Sequence, residues 1–448
     1  MKNIFFILPL LFFSCSNKKN EHTTYIRGKV VNPRTEKAII SHDIFVLEAD
    51  TLYFSNNNNL KGKVNCNEEG LFFLLLHPEY QTIYLKPGDS LAFHINVDEF
   101  DESLSFSGSL GFENNLLIDL FLVYEDEMAY FQENQFNFSI DSFSKKLDSF
   151  NLIKYHLIDD YQEELKQTTQ KFRDILETLN HASNYTIKEF YLKKQPDVDT
   201  NNEFFNYDEV LKKELPDPNI VHLYTFSKNY FNRKSKDNNN KYIYISQLID
   251  KEVKDMKFKE NLLFRYCKKY IKENMITQID STVKNYLNLL ENPLYNAKCK
   301  ELIDKNKQLS NGKQFLDIQV LDLKNTTHHL TEYVIGHKSL LSFMDLNFKK
   351  NYISNLDKLK EIKKKYPDLQ ILIINLGTES YEEWSSNLPT DTNFVYLQVL
   401  RKDELKIIKP YHLSQVFLLK DNTIAKSLIN MYHPSFNKDL EQFMLNKK

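Results

Sequence analysis

Cysteine is the residue type with the most chemistry to offer in this sequence, and it occurs four times. Cys15 lies near the N-terminus, while Cys66, Cys267 and Cys299 are spread over the rest of the chain. Their spacing contains no CxxC pair and no zinc-binding pattern, and at most one disulfide could form among the last three. No GxSxG, GxxxxGK, GxGxxG or HExxH motif occurs, so the sequence indicates no other enzyme class and no cofactor.

His328 and His329 are the next candidates, because imidazole is a common metal ligand. Adjacent residues on a strand point to opposite faces, so the two rings are not expected to bind one metal ion together. We therefore predict no metal site at this position. Trp384, the single tryptophan, lies in a predicted helix, where packing is its expected role.

Residues 1–15 have the composition of an export signal. Lys2 precedes an apolar run over residues 4–13, which is too short to span a bilayer. The following Ser14-Cys15-Ser16 resembles the lipobox of bacterial lipoproteins, although Phe12 stands where that pattern prefers leucine. The resemblance implies that Cys15 is lipidated and becomes the first residue of the mature chain, and ordinary secretion is the alternative. Because residue 16 is not aspartate, we expect attachment to the outer membrane, facing the periplasm.

The charge balance argues against a polyanionic partner. Lys and Arg total 58 against 61 Asp and Glu, which gives a net charge of −3 and no overall positive field. We expect no nucleic-acid partner, a membrane reached through the lipid anchor, and an envelope protein or peptide as the class of partner that remains. The 448 residues allow roughly two to four domains.

Short alternating runs separated by turn residues fill the region 24–110. The runs 25–30, 71–76 and 90–97 read as strands, and the segments 56–59 and 86–89 have the composition of turns. A period of two with frequent breaks predicts an antiparallel, β-sandwich-like domain.

Apolar residues three and four apart characterise the region 113–310. Breaks at 195–196, 216–218 and 234–241 divide it into six to eight predicted helices of one α-helical domain. Charged residues fill the opposite faces, as is typical of a solvated helix surface.

The region 312–448 returns to alternating strands and helices. Strands are predicted at 339–343, 369–376, 394–397 and 416–419, and helices at 351–364, 380–386 and 437–445. The apolar run 371–374 suits a strand that is buried on both faces. The fold class is therefore multidomain α+β, with an N-terminal antiparallel β domain, a central α-helical domain and a C-terminal α/β domain.

Three segments resemble the TlpA-like proteins of the bacterial envelope. They are residues 84–91 with their Lys-Pro-Gly-Asp turn, the Glu113-Asn114-Asn115 step, and the order of strands and helices over 312–448. The resemblance implies a β domain, a helical insert and a thioredoxin-like domain in that order. It also implies thiol-disulfide exchange, which is the activity of this family.

The reactive positions of that family carry other residues here. In active members, a strand ends in Phe-Trp and leads four residues later into a CxxC motif at the start of a helix, whose positive end lowers the thiol pKa. In this register Phe348 and Asn351 stand at the cysteine positions, and residues 312–448 contain no cysteine. Leu413 stands where the family has a cis-proline, with Pro410 about three residues earlier. The sequence therefore predicts a domain that cannot exchange disulfides by the usual mechanism.

Polar residues near the same edge of the domain leave two interpretations open. His412 and His433 flank segments that border the reactive edge of a thioredoxin-like fold, and Tyr411 and Asp345 are expected near it. Together they would form a repurposed polar pocket. Ordinary surface histidines are the favoured interpretation, and the pocket is the alternative.

The favoured interpretation is a membrane-anchored envelope protein whose redox-inactive thioredoxin-like domain is a binding or scaffolding module, without catalytic residues. The alternative is a thiol-disulfide oxidoreductase of the TlpA-like family that uses Cys66, Cys267 or Cys299 from another domain. A third interpretation, a substrate-binding lipoprotein, predicts a closed pocket between domains. Because one fold supports many functions, the fold alone does not decide among them.

Overall fold

The computed structural model describes residues 22–77, 79–346, 348–376, 381–386, 388, 393–400, 408 and 410–445. The chain divides into two compact units. The first unit ends at Tyr130 and continues from Ile140 to Leu176, and the second comprises Phe131–Ser139 and the chain from Glu177 onward. Because this division falls within two long helices, the ranges 24–110, 113–310 and 312–448 stay predictions of domain boundaries.

The first unit contains two four-stranded sheets in its described part. Its strands are β1 (Thr23–Val31), β2 (Lys37–Ser41), β3 (Ala49–Tyr53), β4 (Asn59–Asn65), β5 (Gly70–Leu76), β6 (Glu79–Leu85), β7 (Ser90–Asn96) and β8 (Ser105–Ser107). One sheet has the order β4-β1-β7-β8 and the other β3-β2-β5-β6. All neighbouring strands are antiparallel except β1 and β7, which are parallel. Alternating residues of β1 are buried, so one face of its sheet is covered.

Two consecutive asparagines connect a helix to the edges of both sheets. The Asn114 side chain accepts from the Tyr84 N–H at 2.8 Å and donates to the Tyr84 carbonyl at 2.9 Å. Asn115 forms the same pair of hydrogen bonds with Phe106, at 2.8 and 2.9 Å. Tyr84 lies on edge strand β6 and Phe106 on edge strand β8. Each amide therefore satisfies backbone groups that would otherwise need a further strand.

Helices occupy most of the chain between the two β-containing regions. A single-turn helix, α1 (Phe100–Ser103), precedes β8, and the helices that follow β8 are α2 (Gly111–Glu133), α3 (Ile140–Asp159), α4 (Gln162–Leu165), α5 (Gln170–Lys194), α6 (Asp208–Leu211), α7 (Val221–Lys234), α8 (Lys241–Glu252), α9 (Met256–Glu273), α10 (Ser281–Leu289) and α11 (Pro293–Gln308). Between residues 113 and 310, all of which are described, eight of these helices have nine or more residues and two are single turns. Six to eight helices were predicted for this region.

Side-chain caps explain where several of the helices in the second unit begin. The Asp255 carboxylate accepts from the Phe258 N–H at 2.7 Å, one turn into α9. Asp280 does the same for Val283 of α10 at 2.8 Å. Asn292 caps α11, whose first residue is a proline, and proline suits this position because its missing N–H has no partner there anyway.

A mixed sheet forms the C-terminal part of the second unit. Its strands are β9 (Gln319–Leu321), β10 (Thr327–His329), β11 (Lys338–Met344), β12 (Gln370–Asn375), β13 (Val395–Val399), β14 (Gln415–Lys420) and β15 (Thr423–Asn430). The accompanying helices are α12 (Leu330–Val334), α13 (Lys349–Lys365), α14 (Tyr381–Ser386) and α15 (Phe436–Leu445). The strand order is β10-β9-β13-β12-β11-β14-β15, with β11, β12 and β13 parallel and the remaining pairs antiparallel.

Apolar side chains cover both faces of this sheet. One core contains Leu341, Phe343 and Leu372 together with residues of α12. The other contains alternate residues of the same strands, such as Leu340 and Ile371, together with apolar residues of α13, α14 and α15. Burial on both faces explains why these strands are continuous apolar runs in the sequence.

The order and direction of these elements are those of a thioredoxin-like fold. A central strand, β11, leads directly into α13, lies parallel to β12 on one side and antiparallel to β14 on the other, and a hairpin and a last helix follow. The predicted fold class, multidomain α+β with an N-terminal β domain, a helical region and a C-terminal thioredoxin-like domain, is confirmed. Trp384 lies on α14 and is buried in the second of these cores, which agrees with its predicted packing role.

Candidate functional site

The junction between β11 and α13 is the place where active thioredoxin-like proteins carry their cysteines. Here β11 ends at Met344, Asp345 is buried, and Phe348 occupies the position before the first helical residue. The Phe348 N–H donates to the Asp345 carbonyl at 3.1 Å, and the Phe348 carbonyl accepts from the Tyr352 N–H at 2.9 Å. The phenyl ring of Phe348 is 39% exposed, and Asn351, in the first turn of the helix, is also exposed. An aromatic ring and an amide are therefore exposed at the two residues that the sequence predicts to replace the family's cysteines.

Residues 410–414, here called the 411 loop, precede β14 and include Leu413, the residue that the sequence predicts at the family's cis-proline position. Leu413 is partly buried, and its carbonyl accepts a hydrogen bond from the Asn355 side chain at 3.0 Å. Asn355 lies on α13, is only 3% exposed, and accepts a hydrogen bond from the Tyr432 hydroxyl at 3.2 Å. The side chain of Asn355 therefore fixes the distance between α13 and the 411 loop.

Tyr411 connects the same loop to the helices of the second unit. Its hydroxyl donates to the side-chain oxygen of Asn306 at 2.5 Å, and Asn306 is fully buried at the C-terminal end of α11. The Asn306 amide nitrogen donates to the carbonyls of Ile271 and Ile276, both at 3.0 Å. The Asn306 side chain thus forms hydrogen bonds with Ile271, Ile276 and Tyr411, and it links the 411 loop to α9 and α11.

Two ammonium groups lie near the ring of Tyr411. The Nζ atoms of Lys272 and Lys305 are 4.7 and 5.0 Å from the ring centroid, at distances typical of cation–π interactions. Burial raises the pKa of Tyr411 to about 12 and lowers the pKa of Lys272. At neutral pH the tyrosine is therefore protonated and able to donate its hydrogen bond to Asn306.

The surface beside the start of α13 is aromatic. Tyr432 is 51% exposed, Phe348 is 39% exposed directly before α13, and Tyr352 and Asn355 lie three residues apart on one face of that helix. The Tyr352 hydroxyl is buried, burial raises its pKa, and it has no hydrogen-bond partner among the described residues. We name the group Phe348, Tyr352 and Tyr432 the aromatic patch.

The four polar residues that the sequence analysis predicts near the start of α13 have different surroundings. His412 is exposed in the 411 loop, and His433 is exposed with its Nδ1 atom 2.8 Å from the Ser435 hydroxyl. Asp345 is buried at the end of β11, whereas Tyr411 is turned toward α11. The polar pocket that these four residues would form stays a prediction.

His328 and His329 bind different carboxylates. His328 Nδ1 lies 2.9 Å from Glu332, whose hydrogen bond raises the pKa of this histidine, and its Nε2 lies 3.5 Å from Asp322. His329 Nδ1 lies 2.9 Å from Asp317. The two rings therefore contact separate carboxylates around α12. Within the part of the chain that the structure describes, no group of three or more His, Cys, Asp or Glu side chains is arranged to hold a metal ion.

The three cysteines that follow Cys15 are all buried. Burial raises the pKa of the Cys66 thiol in the first unit. Cys267 of α9 and Cys299 of α11 lie together, with their sulfur atoms 3.4 Å apart. The sequence shows both residues, but their spacing gives no sign that they meet. Cys15 and the predicted signal lie outside the described residues.

A cavity of about 420 Å³ lies in the helical region of the second unit. Tyr207, Tyr230 and Arg233 are among its lining residues. Arg233 forms a two-point ion pair with the buried Glu189, and the Tyr230 hydroxyl donates to Glu252 at 2.8 Å. These charged and polar groups bind one another, so the cavity is a weaker candidate for a functional site than the junction of β11 and α13.

Among the helices of the described chain, none combines the length and apolar character needed to cross a membrane. No protein-family model matches the sequence, and no curated protein matches it.

Solved structures match a part of the chain. The thioredoxin domain of a thiol-disulfide oxidoreductase from Bacteroides vulgatus is 19% identical, with 30% of this chain and 98% of that chain covered and a TM-score of 0.24. A thiol peroxidase from Chromobacterium violaceum is 14% identical over 31% of this chain and 88% of its own, with a TM-score of 0.26. The C-terminal domain of an uncharacterized protein from Bacteroides fragilis is 14% identical over 30% of this chain and 97% of its own, with a TM-score of 0.25. The thioredoxin-like assignment of the C-terminal part follows from its own strand order and from the β11–α13 connection.

Proposed function

We propose that this protein is a lipid-anchored envelope protein of the TlpA-like type whose thioredoxin-like domain binds a partner and does not exchange disulfides. The observation that carries the proposal is the identity of the residues at the start of α13. Phe348 and Asn351 occupy the two positions where an exchanging domain needs thiols. Neither side chain can form a thiolate, which is the group that attacks a disulfide.

The rest of the chain does not supply an accessible thiol in its described part. Cys66, Cys267 and Cys299 are each fully buried. Burial raises the pKa of Cys66, and the hydrogen bond with Cys299 together with burial raises the pKa of Cys267. Reactive cysteines are partly exposed and have lowered pKa values, so these surroundings favour structural thiols.

Binding is the role that the geometry around α13 supports best. The aromatic patch offers exposed apolar surface where other thioredoxin-like proteins have reactive groups, and aromatic side chains are common anchors in interfaces. Asn355 and Asn306 hold the neighbouring 411 loop on two sides, so the surface is rigid before a partner arrives. We propose a segment of another envelope protein or a peptide as the partner, and no nucleic acid.

The location is a second part of the proposal. The apolar run 4–13 and the following Ser14-Cys15-Ser16 support export and lipidation at Cys15. Several acyl chains hold a protein on a membrane almost permanently, since each buried methylene contributes about 0.8 kcal/mol. We propose attachment to the outer membrane, with the folded part in the periplasm.

The alternative function, thiol-disulfide exchange, is favoured by one specific observation. Cys267 and Cys299 form a pair of thiols only 3.4 Å apart, which is a first requirement for a redox-active dithiol. Against it, both residues are fully buried, so a substrate disulfide could not reach either sulfur in the folded chain.

Site-specific photo-crosslinking tests the binding role. A photoreactive phenylalanine analogue is placed at Phe348 or at Tyr432 of the full chain in its own cells. The matched control is Ile353, which lies on the same helix and is 57% exposed but belongs to another face. We expect a discrete adduct from positions 348 and 432 and none from 353. Equal labelling at all three positions, or no adduct at 348 and 432, would contradict a binding role for this patch.

A further inference from the structure

The sulfur atoms of Cys267 and Cys299 meet in the seam between α9 and α11. The Cys299 thiol donates to the Cys267 sulfur at 3.4 Å, and both residues are 0% exposed. A disulfide bond has a length of about 2.05 Å. The two sulfurs are therefore in direct contact, and a bond requires them to come closer by roughly 1.3 Å.

The same seam carries the contact that holds the 411 loop. Ile271 lies one turn beyond Cys267 on α9, and Asn306 lies two turns beyond Cys299 on α11. The Asn306 amide donates to the Ile271 carbonyl at 3.0 Å and accepts from Tyr411. A covalent link between the two cysteines would therefore fix the pair of helices on which the position of Tyr411 depends.

We propose that Cys267 and Cys299 form a structural disulfide in the mature protein. In cells this rests on the export part of the proposed function, because disulfides persist in oxidising compartments such as the periplasm. Cys66 lies in the other unit, buried on its own, and is the unpaired cysteine.

The bond forms by exchange with a disulfide-bonded oxidant, either a donor protein or oxidised glutathione. One of the two thiolates attacks the oxidant and forms a mixed disulfide, and the second thiolate then displaces the oxidant's remaining sulfur. Two electrons pass to the oxidant, which leaves as a dithiol or as two thiols after taking up the two protons. Because both sulfurs are buried in the folded chain, the exchange takes place before α9 and α11 close on each other.

We infer a structural role for this disulfide because both of its sulfurs are buried in the folded state. Reductants attack a sulfur directly, and neither sulfur is accessible. Closing the segment from α9 to α11 restricts the unfolded chain, which stabilises the folded one. This role does not require any reaction at the start of α13.

Thiol counting on the refolded chain tests the proposal. The mature chain with Cys15→Ser and Cys66→Ser is reduced, unfolded and refolded with a mixture of reduced and oxidised glutathione, and it is alkylated after a second unfolding. We expect no free thiol in the refolded chain and two free thiols after it is reduced. Adding Cys267→Ser or Cys299→Ser to the same chain should leave one free thiol. Peptide mapping of the unreduced wild-type chain provides a second measurement that needs no substitution, and we expect a linked 267–299 peptide.

The outcomes separate this inference from the proposed function. Two free thiols in the refolded chain, with no linked peptide from the wild type, would overturn the disulfide even if insulin is not reduced. A linked peptide in a protein that does reduce insulin would support the disulfide and overturn the redox-inactive proposal. We also expect the chain that is reduced while unfolded and then refolded without an oxidant to have a thermal midpoint several degrees below that of the oxidised chain, and equal midpoints would contradict a stabilising role.

Discussion

The Tyr411 hydroxyl donates a hydrogen bond to the side-chain oxygen of Asn306, although the two residues are 105 positions apart. Asn306 is on α11 in the helical region, and Tyr411 belongs to the 411 loop, which precedes β14. The contact is buried on the asparagine side and bordered by Lys272 and Lys305. It makes the helical region a direct support of the candidate binding surface.

Removing the Asn306 side chain should destabilise the second unit. Asn306→Ala leaves the carbonyls of Ile271 and Ile276 and the Tyr411 hydroxyl without their partner, and each buried unsatisfied group costs about 1–3 kcal/mol. We expect the free energy of unfolding to fall by roughly 3 kcal/mol in urea titrations. Lys300→Ala, an exposed position of the same helix, is the control and should change it by less than about 0.5 kcal/mol. If both variants changed the free energy of unfolding by similar amounts, Asn306 would not be a structural support of the 411 loop.

The stabilising contribution of Tyr411 should disappear at alkaline pH. Its pKa is raised to about 12 by burial, whereas an unfolded tyrosine titrates near pH 10. A raised folded-state pKa gives stability that is complete below the unfolded pKa and is lost as the pH rises through the folded one. At neutral pH the free energy of unfolding of the wild type should therefore be about 1 kcal/mol higher than that of Tyr411→Phe, because the variant lacks the hydrogen bond. The difference should shrink between about pH 10 and pH 12, as measured by urea unfolding across that range. A constant difference would speak against a buried hydroxyl.

Restoring two cysteines should test the register of α13. In a chain with Cys66, Cys267 and Cys299 changed to serine, Phe348→Cys together with Asn351→Cys creates a CxxC pair at the N-terminus of the helix. The positive end of a helix lowers a thiol pKa, so we expect the pair to form an intramolecular disulfide and to reduce insulin above background. The control is Phe348→Cys alone, which should neither form an intramolecular disulfide nor reduce insulin above background. Failure of the double variant to form the disulfide would show that these are not the equivalent positions.

Lipidation at Cys15 predicts where the protein is found after cell fractionation. Cys15→Ala removes the acceptor for the lipid, so the protein should move from the membrane fraction to the soluble periplasmic fraction or remain unprocessed. Cys66→Ser serves as the control and should leave the distribution unchanged. A Cys15→Ala protein that is processed and still sediments fully with the membrane would refute a lipid anchor at this residue.

Local pattern was enough to predict much of the C-terminal domain. The apolar run 371–374 predicts a strand buried on both faces, and β12 covers it. Helix α13 was predicted from residue 351 and begins at Lys349. The parallel pairing of β1 with β7 was not predicted, because alternation fixes which face of a strand is buried and not the direction of its neighbour.

The contacts that define the candidate site could not be predicted in the same way. Asn355 binds the Leu413 carbonyl across 58 positions, and Cys299 meets Cys267 across 32. Periodicity places Asn355 on a helix but does not say which backbone atom its amide meets. The sequence shows Asn114 and Asn115 as part of a pattern that resembles a family. Their hydrogen bonds to the edge strands β6 and β8 depend on where the two sheets end, which the sequence does not indicate.

Disulfide reduction by the purified mature protein tests the central claim most directly. Wild type is compared in an insulin reduction assay with the variant that has serine at positions 66, 267 and 299, and the Phe348→Cys/Asn351→Cys chain shows that the assay can detect activity in this fold. We predict that wild type and the triple-serine variant both stay at background. Turnover by wild type that is lost in the triple-serine variant would contradict a redox-inactive thioredoxin-like domain as the basis of this protein's function.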